Sequence, residues 1–264
     1  MMIIQLDSKR GTKIPVSVYG DSGEKGLLLM AHSFISDKEE DGRYVTVGEE
    51  MAKQGYLCLS PDFPGNGQSE EAFSAYSLRS CLDDLESVYE YALAHYEIKG
   101  DKVLLGYSMG GRLIPLFQER HPEFKKMVFW AAAVKPYGLQ DRFLEQELKG
   151  LKEEGDETGI CHFHDIFNDV TLEMSADLIN DLIEMDVFKA LESFDGEALI
   201  IQGDKDITIE VSNADLLYEH LVQAKDKKLV HFPYADHGFG LWDGRDEDNK
   251  ELLDTTLSFL KKDL

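Results

Sequence analysis

The stretch 102–111 constrains the fold most tightly, because a short apolar run leads directly into a serine flanked by glycines. The run predicts a strand, and the residues after the serine predict a helix that begins within one sharp turn. Such a turn leaves no room for side chains two positions before and after the serine, where Gly106 and Gly110 stand. Ser108 is therefore predicted to be an exposed nucleophile, with the Met109 amide facing a developing oxyanion.

A Gly-x-Ser-x-Gly match also arises by chance in loops that contain glycine, and Ser108 would then be an ordinary helix N-cap. The surrounding pattern favours the catalytic interpretation. Continuous apolar runs predict strands buried on both faces, and segments with one apolar face predict helices between them. This alternation predicts an α/β three-layer sandwich with a mostly parallel central sheet. The buried strands are predicted at 26–31, 56–59, 103–105, 127–130 and 198–201, further strands at 2–6 and 14–19, and helices at 78–92, 214–221 and 252–260.

Residues 134–191 interrupt this alternation, because they contain no apolar run typical of a buried strand. Helical patterns occur instead around 143–151 and 175–185. A connection of this length with regular apolar positions is typical of a functional insertion and not of disorder. We therefore expect a helical cap insertion over the site at residues 134–191, and an α/β core formed by residues 1–133 and 192–264.

The chain carries 51 acidic and 27 basic residues, which gives a formal net charge of -24. Such a surface repels phosphate backbones and anionic lipids, so nucleic acid and membrane partners are disfavoured. Within the insertion, the acidic stretch 153–157 is expected to be a solvated loop. The odd number of three cysteines and the lack of an apolar signal segment favour a reduced, cytoplasmic location.

A serine nucleophile needs a base to accept its proton and an acid to orient that base. Asp204 and Asp206 follow the apolar run 198–201, and His237 follows the next run along the chain. Because the carboxyl ends of parallel strands meet at one edge of a sheet, Ser108, one of the two aspartates and His237 are predicted to converge there. Position alone leaves the choice between the two aspartates open.

Four motifs resemble those of the α/β-hydrolase family. They are Gly106-Tyr107-Ser108-Met109-Gly110, Gly203-Asp204-Lys205-Asp206, Asp236-His237-Gly238 and Asp62-Phe63-Pro64-Gly65-Asn66-Gly67-Gln68-Ser69. The resemblance covers nearly the whole chain and is greatest to bacterial carboxylesterases of the feruloyl and cinnamoyl esterase type. In that pattern the acid is the last residue of Gly-x-x-Asp, which implies Asp206, with Asp204 as the rival.

The family's His-Gly-x turn corresponds here to His32-Ser33-Phe34. The resemblance implies that the Phe34 amide is the second oxyanion donor, and that His32 supports the turn by hydrogen bonding. Ser33 departs from the usual glycine. This departure alters the oxyanion hole only if the backbone there needs a positive φ.

The resemblance implies a serine esterase that cleaves small neutral carboxylic esters, including aryl-acid esters, through an acyl-enzyme without cofactor or metal. The expected partner is a small-molecule ester, and the sequence leaves the oligomeric state open, an oligomer included. The turn that carries Ser108, called a nucleophile elbow, also serves peptidases and carbon-carbon bond hydrolases, because the fold does not decide which bond is cleaved. A non-catalytic ligand receptor that keeps the triad is the alternative from a different class.

Phenylalanines of the insertion are candidates for a substrate-binding wall, which would favour short acyl or aryl-acid esters. Each of them could equally fill the core of the insertion itself. His162 and His164 would share a face of a strand, but no second ligand pair with metal-site spacing occurs, which favours an aromatic and polar cap wall over a metal centre. The candidate wall residues are Phe143, Phe163, Phe167 and Phe188.

Overall fold

A computed structural model describes residues 1–136, 142–165, 169–242 and 244–262, without the side chains of residues 142–145 and 165. The strands are Met2–Asp7 (β1), Lys13–Tyr19 (β2), Gly26–Ala31 (β3), Tyr56–Pro61 (β4), Asp101–Tyr107 (β5), Phe124–Trp130 (β6), Ile160–Asp165 (β7), Val170–Ser175 (β8), Glu197–Gly203 (β9) and Asp226–Phe232 (β10). The helices are Arg43–Ala52 (α1), Leu78–His95 (α2), Met109–Arg120 (α3), Arg142–Thr158 (α4), Ala176–Glu184 (α5), Val187–Glu192 (α6), Ser212–His220 (α7) and Asp246–Leu260 (α8), with a 3-10 helix at Phe73–Ala75. None of the described helices is long and apolar enough to span a membrane.

Eight strands of the described chain form one sheet in the order β1-β2-β4-β3-β5-β6-β9-β10. Every neighbouring pair from β4 to β10 is parallel, whereas β2 runs antiparallel to both β1 and β4. All residues of β3 and β4 are buried, because helices cover both faces of the sheet. The predicted α/β three-layer sandwich with a mostly parallel sheet is therefore confirmed.

Separate apolar cores fill the two spaces between the sheet and its helices. Tyr44 of α1 and Leu252 of α8 belong to the core on one face. Leu113 of α3 and Leu217 of α7 belong to the core on the other face, together with α2. The apolar face predicted for α2 is the face that packs there, since all its members are buried: Leu78, Cys81, Leu82, Leu85, Val88, Tyr89 and Ala92.

Between β6 and β9 the chain forms α4, the antiparallel pair β7 and β8, and the short helices α5 and α6. The two predicted helical patterns fall within α4 and α5. The two-stranded sheet was not expected in a helical cap. Its strands escape a search for apolar runs because β8 is mostly exposed or half-buried. The boundaries 134–191 of a separate cap stay a prediction.

The acidic stretch 153–157 is helical, so the expectation of a loop there is wrong. Helix α4 continues to Thr158. Lys149 Nζ lies 3.8 Å from Glu153 Oε1, and Lys152 Nζ lies 2.9 Å from Asp156 Oδ1, one helical turn along. Such pairs stabilise a helix by about 0.2–0.5 kcal/mol each and offset the repulsion among neighbouring carboxylates.

We expect Gly110→Ala to destabilise the fold severely. A Cβ atom at position 110 would lie 1.9 Å from the Ala31 carbonyl oxygen, so α3 would have to move away from β3. Overpacking of this kind in a close-packed core should cost about 3 kcal/mol or more. Gly150→Ala in α4 is the matched control, because a Cβ there meets nothing within 4 Å, and it should stabilise the protein by up to about 1 kcal/mol. Urea denaturation measures both, and equal stabilities of the two variants would contradict the prediction.

Candidate active site

Ser108 connects β5 to α3 with φ 52° and ψ -113°, angles that residues with a side chain rarely adopt. Two hydrogen bonds hold this backbone. The Ser108 amide donates to the Trp130 carbonyl oxygen (2.8 Å), and the Ser108 carbonyl oxygen accepts from the Ala133 amide (3.1 Å). The flanking glycines are required for steric reasons, since a Cβ at Gly106 would lie 2.4 Å from the Gly110 carbonyl oxygen. Ser108 is 7% exposed, so the prediction of an exposed serine is wrong: the close packing that requires these glycines also buries the serine.

Helix α3 begins at Met109, directly after the serine. The first amides of a helix have no acceptor within it, and the helix dipole adds partial positive charge at this end. The Met109 amide is therefore a donor suited to an anion that forms beside Ser108.

Asp206 and His237 contact each other at the carboxyl end of the sheet. Asp206 follows β9, and its Oδ2 lies 2.7 Å from Nδ1 of His237, which follows β10. Both side chains are almost fully buried. When Nδ1 donates its proton to the carboxylate, the neutral imidazole presents Nε2 as a proton acceptor.

Three further donors hold the Asp206 carboxylate. Its Oδ1 accepts the amides of Thr208 (2.9 Å) and Ile209 (2.7 Å), and its Oδ2 also accepts from Gln202 Nε2 (3.0 Å). Rotation of the carboxylate away from the imidazole would break these hydrogen bonds. The strand end thus fixes both oxygens and, through them, the orientation of His237.

The rival Asp204 is directed elsewhere. Its Oδ1 lies 2.7 Å from Nδ1 of His231, and both of these side chains are about one third exposed. Asp236, next to the candidate base, accepts the Gly240 amide and closes a turn. Of these aspartates, the structure brings Asp206 to the imidazole of His237.

Tyr107, the residue before Ser108, contacts the loop between β10 and α8 that carries His237, which we call the histidine loop. Its ring stacks on the imidazole of His237 with centroids 5.1 Å apart, and its hydroxyl donates to the His237 carbonyl oxygen (2.5 Å). Burial raises the pKa of the Tyr107 phenol, so the hydroxyl keeps its proton and remains a donor. Because Tyr107 immediately precedes Ser108, this contact links the loop of the candidate base to the turn of the candidate nucleophile.

His32 and Ser33 form the turn that follows β3. Nε2 of His32 accepts the Phe63 amide (3.0 Å), so Nδ1 carries the proton and donates to the Ser33 carbonyl oxygen (2.7 Å). Burial lowers the pKa of His32, which keeps the imidazole neutral and suited to this pair of bonds. His32 therefore supports the turn by hydrogen bonding.

Ser33 fits the turn because its φ is not positive. Its amide and its hydroxyl donate to the two carboxylate oxygens of Glu40, at 2.8 and 2.9 Å. A serine thus replaces the family's glycine without strain and gains a partner. The next amide, that of Phe34, has no acceptor among the described residues, so it is available to an oxyanion.

The Phe34 side chain contacts three aromatic rings from two segments, residues 73–76 and β7. Its ring centroid lies 5.3 Å from that of Phe73, 5.5 Å from that of Tyr76 and 6.3 Å from that of Phe163 in β7. Residues 32–42, between β3 and α1, carry Phe34, and we call them the oxyanion loop. Among the four candidate wall residues, Phe163 therefore lies against this loop. Phe188 stacks instead on His220 of α7, with centroids 3.9 Å apart. The side chain of Phe143 and all of Phe167 lie outside the described residues.

His162 and His164 share the exposed face of β7, as predicted, but they bind different neighbours. Nδ1 of His162 lies 2.5 Å from the Glu154 carboxylate, and Nδ1 of His164 lies 3.4 Å from the Thr171 hydroxyl. Within the described residues, no group of three or more histidine, cysteine, aspartate or glutamate side chains is arranged to hold a metal ion.

Several residues at the site are not predicted from the sequence. Gln202 is the last but one residue of β9, where an amide in an apolar strand could have indicated a buried partner. Trp242, 61% exposed, has its ring centroid 5.8 Å from that of His237. Glu40, in the charged loop before α1, and Arg43, the first residue of α1, are both buried, although such a charged stretch is typical of solvent exposure. Pairing of buried charges leaves no periodic pattern in a sequence.

Comparison with known proteins matches this chain to hydrolases. The family model described as serine aminopeptidase, S33, matches residues 23–153, about half of the chain. The AB hydrolase superfamily protein YisY of Bacillus subtilis is 24% identical over 216 residues, which cover 72% of this chain and 77% of YisY. The monoacylglycerol lipase of Mycolicibacterium smegmatis is 26% identical over 130 residues, which cover 48% of this chain and 45% of the lipase.

Solved structures match over nearly the full length. Est1E of Butyrivibrio proteoclasticus, solved with ferulic acid bound, has a TM-score of 0.72 at 20% identity and covers 97% of this chain and 98% of its own. The esterase EaEST of Exiguobacterium antarcticum has a TM-score of 0.71 at 20% identity, covering 98% and 100%. Mouse alpha/beta hydrolase domain-containing protein 10 has a TM-score of 0.74 at 15% identity, covering 99% of both chains. The chain belongs to the α/β hydrolases by fold, and the matches support a hydrolase of the esterase and lipase type.

We expect Asp206→Asn to reduce kcat/KM about a thousandfold or more, because the amide would favour the wrong imidazole tautomer. Asp204→Asn is the matched control, since it removes the same charge from the same loop but from a residue that binds His231. It should cost less than about tenfold, as should Asp236→Asn. Steady-state kinetics on a p-nitrophenyl ester, with folding checked by circular dichroism, measures all three. A folded Asp204→Asn enzyme with the larger loss would reverse the assignment.

Proposed function

We propose that this protein is a serine hydrolase that cleaves small neutral carboxylic esters through an acyl-enzyme. The observation that carries the proposal is the buried contact between Asp206 and His237, stacked against the residue that precedes Ser108. An acid, an imidazole and a serine at a strained turn, all at one sheet edge, form the arrangement that nucleophilic acyl transfer requires.

The proposed reaction begins when the Ser108 hydroxyl attacks the ester carbonyl while Nε2 of His237 accepts its proton. Asp206 keeps the imidazole in the required tautomer and stabilises the imidazolium. The amides of Phe34 and Met109 donate to the oxyanion of the tetrahedral intermediate. His237 then protonates the leaving alcohol, and a water that the same imidazole activates releases the acid. No cofactor or metal takes part in these steps.

The substrate class follows from the surroundings of Phe34. Rings from the 3-10 helix and from β7 face it, and such an aromatic wall favours short acyl or aryl-acid groups over long lipid chains. The net charge of -24 disfavours anionic substrates as well as nucleic acid and membrane partners. Est1E, of similar fold, was solved with ferulic acid, an aryl acid, and EaEST is named an esterase. We extend that substrate class to this chain.

We also propose the organisation in which this chemistry takes place. Residues 134–191 act as a cap that sets substrate choice, and residues 1–133 and 192–264 form the catalytic core. A cytoplasmic location agrees with the three cysteines, which are all free and buried. The expected partner is a small-molecule ester.

A peptidase is the second candidate, because the matching family model is described as serine aminopeptidase. The same elbow also serves carbon-carbon bond hydrolases, and a receptor could keep the triad without turnover. A panel of p-nitrophenyl esters, aryl-acid methyl esters and aminoacyl amides separates these functions. Preferential cleavage of aminoacyl amides would favour the peptidase, and absence of turnover on every ester would favour the receptor.

We expect a fluorophosphonate probe to label Ser108, because the probe reacts with serines that a neighbouring base activates. Peptide mass analysis should find the adduct on this residue. Ser108→Ala should lose the label and about ten-thousandfold or more of the ester turnover, leaving what binding and oxyanion stabilisation supply. Undiminished labelling of Ser108→Ala would refute the assignment of the nucleophile.

We expect Phe163→Ala to change the ratios of kcat/KM among acetyl, decanoyl and cinnamoyl esters by about 1–3 kcal/mol, because its ring packs against Phe34. Phe188→Ala is the matched control, since its ring stacks on His220 of α7. It should lower the stability and leave the ratios unchanged. Unchanged ratios in Phe163→Ala, or a preference of the parent enzyme for decanoyl esters, would count against the cap as the determinant of specificity.

A further inference from the structure

A buried carboxylate holds the loop that carries the candidate oxyanion donor. Glu40 is 1% exposed, and its two oxygens accept the amide and the hydroxyl of Ser33, at 2.8 and 2.9 Å. One of them also accepts the Ser36 hydroxyl at 2.9 Å. Since Phe34 lies between these two serines, the Glu40 carboxylate determines where the Phe34 amide points.

A buried guanidinium connects this carboxylate to the rest of the site. Arg43 is 2% exposed, and its Nη2 lies 3.9 Å from the Glu40 carboxylate. Its Nη1 donates to the Gly238 carbonyl oxygen at 3.5 Å, directly after His237. Its guanidinium carbon lies 4.7 Å from the centre of the Tyr107 ring, directly before Ser108. One cation thus contacts both the elbow and the histidine loop.

The backbone of the same loop is strained. Ile35, Glu40 and Asp41 have φ of 56°, 47° and 54°, in the left-handed region that residues with a side chain seldom occupy. Such angles persist only where surrounding contacts impose them, and they cluster at functional sites. Here the contacts include those of the Glu40 carboxylate, of Asp37, whose Oδ1 accepts the Glu40 amide at 3.1 Å, and of Arg43, whose Nε donates to the Glu40 carbonyl oxygen at 3.2 Å.

We propose that Glu40 and Arg43 are positioning residues, which hold the oxyanion loop, the serine elbow and the histidine loop in one arrangement through a buried ion pair. The inference rests on the proposed function, because it assigns the pair a role in ester hydrolysis. A donor that is displaced by a fraction of an ångström stabilises the transition state less but leaves substrate binding nearly the same. Loss of the pair should therefore lower kcat and not raise KM.

The chain contains a closely similar cluster away from these loops. Asp84 of α2 is 1% exposed, accepts the Ser8 hydroxyl at 2.6 Å and pairs with Arg10, whose Nη2 lies 2.8 Å from its carboxylate. Serine, carboxylate and arginine thus occur in both places, but Asp84 contacts none of the site loops among the described residues. Asp84→Asn is the matched control for the loss of a buried carboxylate.

The test compares Glu40→Gln with Asp84→Asn in the full chain. The amide introduced at position 40 would present an NH2 group to a Ser33 donor, so the oxyanion loop should shift. We expect kcat on p-nitrophenyl acetate to fall about tenfold to a hundredfold with KM changed less than about threefold. Affinity for a trifluoromethyl ketone, which the nucleophile converts to a tetrahedral adduct, should fall by the same factor as kcat. Asp84→Asn should lower Tm and leave kcat unchanged.

A double-mutant cycle identifies the route of the effect. Ser33→Ala should lower kcat by several-fold, and the double variant Ser33→Ala, Glu40→Gln should be no slower than Glu40→Gln alone, since Ser33→Ala removes one of the hydrogen bonds that Glu40→Gln already disturbs. If Glu40→Gln does not fold, Ser33→Ala and Arg43→Lys decide by the same division between kcat and KM. Folded variants with the kcat of the parent and only a lower Tm would overturn the inference.

Failure of the proposed function has a different signature. A parent enzyme that hydrolyses no ester and takes up no fluorophosphonate on Ser108 overturns the proposed function and this inference together. A parent enzyme that hydrolyses esters, with a Glu40→Gln variant of equal kcat, overturns only the role of the ion pair.

Discussion

The candidate site depends on a backbone contact that only glycine permits. Helix α3 begins so close to the end of β3 that no side chain fits at Gly110, whose ideal Cβ would meet the Ala31 carbonyl oxygen. This contact puts the first helical amides beside the turn at Ser33. Ser108, directly before this helix, has a left-handed φ of 52° and is held by backbone hydrogen bonds to Trp130 and Ala133. The candidate nucleophile and the candidate oxyanion donors are thus carried by segments that pack without an intervening side chain.

The order of the parallel strands supplies the remaining groups. β5, β6, β9 and β10 are successive neighbours, so their carboxyl ends form one edge although the chain between β6 and β9 is long. Asp206 and His237 follow β9 and β10, which are adjacent parallel strands, and their side chains contact each other at this edge. The chain between β6 and β9 leaves the sheet at one strand and returns at its direct neighbour, and these two strands remain paired. It can therefore form a separate wall near Phe34 without displacing Asp206 or His237.

The sequence predicts those features of the fold that restrict residue types within a short stretch of chain. Apolar runs mark the buried strands, and the glycines around Ser108 mark the turn, because burial and close approach restrict residue type directly. The acidic end of α4 and the half-exposed strand β8 were not predicted, since ion pairs one turn apart and an exposed hairpin resemble a solvated loop. Glu40 and Arg43 were missed for a related reason. Their burial results from pairing with residues of other loops, and a single charged residue does not report its partner.

The buried charged side chains at this site are better explained by their holding of loop backbone groups than by a gain in the free energy of folding. Taking a carboxylate and a guanidinium out of water costs several kcal/mol per ion, which their attraction only partly returns. An apolar replacement for Glu40 would fill the same space but leave the buried Ser33 amide without an acceptor. A loop that carries a candidate oxyanion donor needs such acceptors, because its amides do not pair in a sheet or helix. Lys38 and Asp62, 3.0 Å apart and also buried in this region, repeat the arrangement. Polar anchors of this kind hold strained loops where apolar packing alone cannot.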